Sequence, residues 1–264
     1  MLELYHSWSA VCGKKVRLVL AEKELEFEHR LVDLANFGQF EKDYLAINPN
    51  GYVPTLVHDG AVLIESSVIM NYLDDAFPDI PLKSGTPAER ARINYHIKMI
   101  DEKYHTSINA VTFTTTSALR FGGWSEEKID EKANLIPDAA RRTQRKNTAK
   151  LGMDAPEAKP SIKLLDKMLG EMERDMTDGP WIGGAAYSLA DAALTPYVAR
   201  LDELCLLPLW ETTRPRVFDW WARIQARPSY EEVFTKHANP KAEAASCAAG
   251  EAARPRFAEM LAAA

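Results

Sequence analysis

Two short stretches near the start of the chain carry residue types that can hold a small molecule. In YVPTLVHDG, residues 52–60, Pro54 interrupts an apolar strand-like run, where a residue without an N–H cannot serve an interior ladder. An X-Pro bond is the place where a cis peptide is readily tolerated, and a cis Val53–Pro54 bond would leave the Val53 N–H and C=O free to bond an extended peptide. A bulge, or a first-residue proline on an edge strand, accounts for the same residue. Further on, Glu65 ends a strand and Ser66 opens a helix, where free N–H groups and the helix dipole favour an anion. A carboxylate can bond the Ser66 hydroxyl and N–H while Glu65 pairs with an ammonium, which together would hold the α-amino acid end of a ligand. Ser66 or Ser67 acting only as a helix cap is the simpler alternative.

The elements that must position these residues follow from changes of period. LELYH alternates like a short strand, GKKVRLVLAEKEL has helical spacing, and EFEHRLVDL is strand-like again. QFEKDYLAIN reads as a short helix. VPTLVHDGAVLIE reads as two strands joined by Asp59-Gly60, a strong hairpin signal, and SSVIMNYLDDAF as an amphipathic helix. The order is β-α-β, a short helix, then β-β-α. PDIPLKSGTP then marks a linker, and almost no strand pattern follows. The stretch from AERARINYH to NAVTF is a long helix. KPSIKLLDKMLGEMERDM places Ile162, Leu165, Leu169 and Met172 at helical intervals, and SLAD has the form of a capping box, Ser188 with Asp191. The expected organisation is an α/β domain over residues 1–80, a linker over 81–86 and an all-helical domain over 87–264. The second domain holds a basic, lid-like insertion near 125–159 and an Ala-rich tail, either a loose helix across the site or disordered.

Bulk properties bound the function. The 264 residues are 46% hydrophobic and carry a formal net charge of −6, which argues against nucleic acid as a partner. No segment is long and apolar enough for a membrane span, and MLELYHSW lacks the features of a signal peptide. Cys12, Cys205 and Cys247 are odd in number and widely spaced, suggesting neither a disulfide framework nor a zinc site. A cytoplasmic protein without metal or nucleotide is expected.

NPNGYVPTLVHDGAVLIESSVIMNYLDDAFP, with LYHS and KKVRLVLAEKELEFE before it, resembles the N-terminal domain of glutathione transferases; SLADAAL and WWARIQARPSY continue the resemblance through the helical part. It implies a thioredoxin-like domain with cis-Pro54, followed by an all-helical domain that receives an electrophile, in a homodimer. It implies that the Val53 backbone binds the cysteinyl part of glutathione, that Glu65 and Ser66 bind the γ-glutamyl end, and that Gln39 reaches the glycyl carboxylate. Tyr52 stands where many members carry Lys, which removes one charge-assisted contact. Asp101 matches an acidic position that faces the glutathione amine of the partner subunit, or is a solvated helix face.

The chemistry needs the thiolate, since an ordinary thiol pKa is about 8.5 and lowering it by two units takes about 2.7 kcal/mol. In HSWSAVCGKKVR the position usually holding the catalytic Ser or Cys falls on Ala10. A one-residue shift restores Ser9; Cys12, near a helix N-terminus, is the alternative, and Ser7 a third. Trp8, Tyr104, His105 and Ile108 are expected at the electrophile site, with His96 or His105 as acid catalysts or as ordinary helix residues. The 125–159 block resembles, in placement and basic character, the inter-helix segment of bacterial β-aryl-etherases, which implies thiolate displacement of a phenolate, or of halide in a dehalogenase. Arg141, Arg142 or Arg145 would then meet anionic aromatic groups. A non-catalytic binding protein, suggested by Ala10 and Tyr52, and a Cys12-dependent thiol reductase or lyase are the competing functions. The absence of C-x-x-C speaks against a disulfide enzyme.

Overall fold

Leu2, Leu4 and His6 turn one face of the first strand inward, and the computed structural model, which describes residues 1–263, builds the sheet around them. Strands β1 (Leu2–His6), β2 (Glu28–Leu31), β3 (Thr55–His58) and β4 (Ala61–Ile64) lie in the order β2-β1-β3-β4. β1 and β2 are parallel; β1–β3 and β3–β4 are antiparallel. The register sets Leu4 opposite Leu56, both fully buried. Asp59 and Gly60 make the β3–β4 turn with φ of 49° and 86°, the double positive φ that favours the pair in a tight hairpin.

The helices are α1 (Val11–Glu22), α2 (Lys42–Ile47), α3 (Ser66–Ala76), α4 (Pro87–Met99), α5 (His105–Thr115), α6 (Ser117–Phe121), α7 (Glu126–Ala133), α8 (Ala139–Leu151), α9 (Ala158–Asp175), α10 (Leu189–Glu203), α11 (Pro215–Gln225), α12 (Pro228–Tyr230) and α13 (Pro240–Ala262). A π-helical turn, Ile100–Tyr104, joins α4 to α5. The chain forms two compact units: Met1–Lys98 with Met176–Pro196 and Trp220–Ala238, and Met99–Asp175 with Tyr197–Asp219 and the segment from Asn239 onward. The expected class, a small α/β part followed by a mostly helical region, is what the fold shows.

In the first unit α1 packs on α3, and a buried ion pair ties their C-terminal ends: Lys23 Nζ lies 2.9 Å from Asp74 Oδ1. Lys23 also donates to the Ile80 carbonyl at 2.6 Å, and Asp74 accepts from the Leu82 N–H at 2.7 Å, so neither charge is left unsatisfied. Asp191 of the SLAD motif is fully buried and accepts four hydrogen bonds. The Ser188 N–H and hydroxyl donate at 2.9 and 2.7 Å, the Ile182 N–H at 3.0 Å and Trp220 Nε1 at 2.8 Å. The Ser188 hydroxyl thus donates to Asp191 instead of capping the helix backbone.

In the second unit the apolar stripe of α9, with Ile162, Leu165, Leu169 and Met172 each at 0% exposure, packs on α5. Thr112 and Thr115 of α5, and Thr116 just after it, are buried without penalty because each returns its hydroxyl to the carbonyl four residues back at 2.7 Å. The 125–159 block is built of α7, α8 and a short 3-10 turn. The tail is helical and packed. It forms the 23-residue α13, with Phe257 fully buried and Gly250 set so close to α10 that a Cβ there would lie 1.6 Å from the Leu204 carbonyl oxygen. The cysteine reading is corrected: Cys205 and Cys247 are disulfide-bonded, their Cα atoms 4.9 Å apart across a separation of 42 residues. Folding of α13 back onto the end of α10 brings them together, which spacing alone does not reveal. The bridge removes cysteine usage as a ground for a reducing compartment. Among the described residues no helix is long and apolar enough to cross a membrane.

Candidate active site

The Val53–Pro54 peptide bond is cis. The segment ahead of it is held by Tyr44 of α2 and by Asn48, the buried residue that ends that helix. The Tyr44 hydroxyl donates to the Tyr52 carbonyl at 2.5 Å, and Asn48 Nδ2 donates to the same carbonyl at 2.9 Å. Both side chains also meet the Thr55 hydroxyl at 3.0 Å. Burial raises the Tyr44 pKa, against the opposing bonds of Thr55 and Asn48, so the phenol stays a donor. Gly51 completes the turn at φ +62°, where a Cβ would lie 2.7 Å from the Phe40 ring. Gln39, from the adjoining 3-10 turn, has its Oε1 buried with no partner.

Glu65 joins β4 to α3 with φ 67° and ψ 111°, a conformation costly for a residue with a Cβ and one that clusters at functional sites. Its side chain is exposed, while Ser66 and Ser67 behind it are buried at 6% exposure. No side chain caps α3 and no acidic residue sits in its first turn, so the dipole there is uncompensated. Beneath it, the fully buried Lys15 of α1 donates from Nζ to Ser67 Oγ at 3.0 Å. This end of α3 suits an anionic group.

The start of α1 is equally bare. Ala10 occupies the N-cap position with no side-chain bond, and no acid follows in the first turn. The Ala10 N–H donates to the Ser7 carbonyl at 3.1 Å, closing a turn with Ser9 exposed at its tip. Cys12, half-buried, lies in the first turn of α1 and is the free cysteine of the described chain. Ser7, Ser9 and Cys12 are thus brought to one helix end. A helix N-terminus of this kind favours a thiolate over a thiol.

Trp8 is engaged inside the first unit. Its ring stacks on His237 at 3.6 Å and 13°, and the Arg17 guanidinium lies 4.8 Å from its centroid while donating to the Trp8 carbonyl at 3.2 Å. His6, fully buried, faces His29 with Nε2 2.9 Å from Nδ1. Burial, then the Arg17 and His29 charges, lower the His6 pKa to about 3. A cavity of about 390 Å³ lies beside this cluster, lined by Arg17, Phe27, His29, Val233 and His237 among others. It draws on the second half of α1, through Ala21, and not on that helix's first turn.

Four expected site residues fall in the second unit. Asp101 is exposed on the π-helical turn. Tyr104 and Ile108 are each 1% exposed, and the Tyr104 hydroxyl is spent on Glu171 Oε2 at 2.6 Å, so both serve as core and not as an open lining. His105 is half-buried, with Nδ1 3.2 Å from the Tyr197 hydroxyl and Nε2 3.0 Å from Asn109 Nδ2. His96, in the first unit, is fully buried. Sequence reasoning passed over Tyr44, Asn48 and Lys15. The signals present were the i, i+4 pair in DYLAIN before a proline, and a lysine inside an otherwise apolar helical face.

Comparison with known proteins agrees with this geometry. Residues 9–76 match the N-terminal domain of glutathione S-transferases and residues 138–223 match their C-terminal domain. Protein LigF of Sphingobium sp. strain SYK-6 is 28% identical over 89% of this chain and 93% of its own. The crystal structure of beta-etherase LigF from that strain superposes with a TM-score of 0.80 at 27% identity, over 89% of this chain and 99% of that one. A tetrachloro-p-hydroquinone reductive dehalogenase from Sphingobium chlorophenolicum is 25% identical over 87% of this chain and 94% of its own. With both domain types matched in order along one chain, on a sheet carrying the cis proline and two bare helix starts, this protein belongs to the glutathione S-transferase family.

Proposed function

We propose that this protein is a glutathione-dependent transferase whose bound thiolate attacks an aromatic electrophile and cleaves a β-aryl ether. The observation that carries the reading is the pair of uncapped helix starts, α1 and α3, linked by the Lys15–Ser67 bond in the unit that holds the cis Val53–Pro54 bond. α3 receives the γ-glutamyl carboxylate through Ser66, with Glu65 meeting the ammonium. The Val53 main chain holds the cysteinyl part, and Gln39 turns to the glycyl carboxylate, unaided by a cation at Tyr52. In a homodimer Asp101 meets the amine of glutathione bound by the other copy.

Ser9 donates to the sulfur, and the start of α1 adds its dipole. The sulfur then forms a bond to the carbon bearing the aryl ether oxygen, the C–O bond breaks, and the phenolate leaves with the electron pair. The names of two relatives, a beta-etherase and a reductive dehalogenase, support a reaction that breaks a bond from carbon to an ether oxygen or to halogen. Incubation with glutathione and a β-aryloxy aryl ketone should release one phenol per thioether formed. Release of halide from an aryl chloride, without phenol from the ether, would move the assignment to dehalogenation.

Cys12 favours a second reading. A cysteine outside the disulfide, in the first turn of a bare helix, is placed for exchange with a glutathione mixed disulfide, giving a glutathione-dependent thiol reductase. Cys12→Ser abolishes activity in that case and spares it in the first.

A further inference from the structure

Helix α8 carries the basic run RRTQRKNTAK, and its cations divide by role. Lys146 and Lys150 face α7: Lys146 lies 3.4 Å from Asp130, and Lys150 lies 3.0 Å from Asp130 and 3.2 Å from Glu126. Arg142 donates to the carbonyls of Ile136 and Pro137 at 3.0 Å each and holds the turn before α8. Arg145 has neither role. Its guanidinium lies over the Phe113 ring of α5, 3.4 Å from the centroid, and among the described residues it has no hydrogen-bond acceptor or carboxylate partner. Arg120 of α6 lies over the same ring at 5.1 Å. It donates from Nε to Thr116 Oγ1 at 2.9 Å, and it too lacks a carboxylate.

Two cations therefore share one aromatic ring with no counter-charge. Burial, then the charges of Arg120 and Arg141, lower the Arg145 pKa to about 9. The Arg120 pKa is lowered by partial desolvation of a side chain that still reaches solvent, and then by Arg200, which is itself paired with Glu203 at 3.2 Å. Arg145 is half-buried and Arg120 exposed, so two like charges stand beside one ring without a carboxylate, and such arrangements concentrate where a ligand brings the opposite charge. The ring surface continues: Phe121 stacks with Phe113 at 6.2 Å and 28°, and Trp124 meets Phe121 edge-on at 5.5 Å. A guanidinium binds a carboxylate through two parallel N–H bonds, and aromatic walls accept a flat apolar body.

We propose that Arg145 and Arg120, set over Phe113, bind the carboxylate of an aromatic acid whose ring packs along Phe113, Phe121 and Trp124. The binding rests on these side chains alone. Its identification as part of the electrophile rests on the transferase reading above, and the substrate is then an aryl ether carrying a carboxylate.

The test uses 4-methoxybenzoate and its methyl ester as probes, titrated into the full chain with saturating glutathione and without it. The acid should bind the native protein about tenfold or more tighter than the ester, and lose that margin in Arg145→Met and Arg120→Met, as expected for a charge-assisted pair. Arg145→Lys, which keeps the charge, should retain part of it and decides the question if Arg145→Met does not fold. Equal binding of acid and ester by the native protein, or undiminished acid binding by Arg145→Met and Arg120→Met, overturns the proposal. Glutathione binding measured on the same sample separates the two claims. Acid binding without glutathione binding keeps this subsite and removes the transferase reading; glutathione binding without discrimination between the probes does the reverse.

Discussion

The Tyr44 hydroxyl donates to the Tyr52 carbonyl at 2.5 Å, so a residue of α2 fixes the peptide immediately before the cis Val53–Pro54 bond. Asn48, just past the end of α2, grips the same oxygen. The main chain proposed to read glutathione is therefore positioned by side chains that need not touch it.

Tyr44→Phe should weaken glutathione binding by a factor of about five, the value of one neutral hydrogen bond near 1 kcal/mol. Tyr44→Phe combined with Asn48→Ala should weaken it further, since the Tyr52 carbonyl then loses both donors. Calorimetry on the three proteins checks this. Native affinity in the double variant would show that the clamp is not what orders the segment.

The buried His6 gives the fold an acid sensitivity. Its pKa falls from 6.5 to about 3 on folding, first because burial opposes the charged ring and then because of Arg17 and His29. Between those values the unfolded chain takes up a proton that the folded chain refuses, so stability decreases as pH drops through that window. At pH 5 the loss from this residue is about 2 kcal/mol. Urea unfolding at pH 7 and pH 5 should show a pH difference smaller by about that amount in His6→Gln than in the native protein. The same pH difference in both would place the sensitivity elsewhere.

The Cys205–Cys247 bridge anchors α13 beside the end of α10. Thiol titration in denaturant without reductant should count one thiol, Cys12, and three after reduction. For a closed loop spanning a separation of 42 residues, the chain-entropy model gives about 4 kcal/mol of stabilisation. Reduction should therefore lower the melting temperature markedly. Three titratable thiols before reduction would contradict the pairing.

Local rules carried much of the fold. Changes between alternating and helical period placed the strands and helices of the first 77 residues, Asp59-Gly60 placed the hairpin, and the stripe from Ile162 to Met172 named the buried face of α9. What stayed hidden depends on pairs distant in sequence. Nothing at Cys205 announces Cys247, and Gly250 reads as a helix weakness until the Leu204 carbonyl is seen beside it. Within RRTQRK, Arg142 and Arg145 are equivalent by composition. Only the surrounding structure assigns one to backbone carbonyls and leaves the other over a phenylalanine ring.

In the proposed reaction the start of α1, with a hydroxyl from the preceding turn, stabilises a bound thiolate. The most direct measurement is thiolate absorbance against pH for glutathione bound to the native protein and to Ser9→Ala. The bound thiol should titrate about two units below the ordinary value near 8.5 and move upward in Ser9→Ala. A bound thiol that titrates at the free value in the native protein would contradict it.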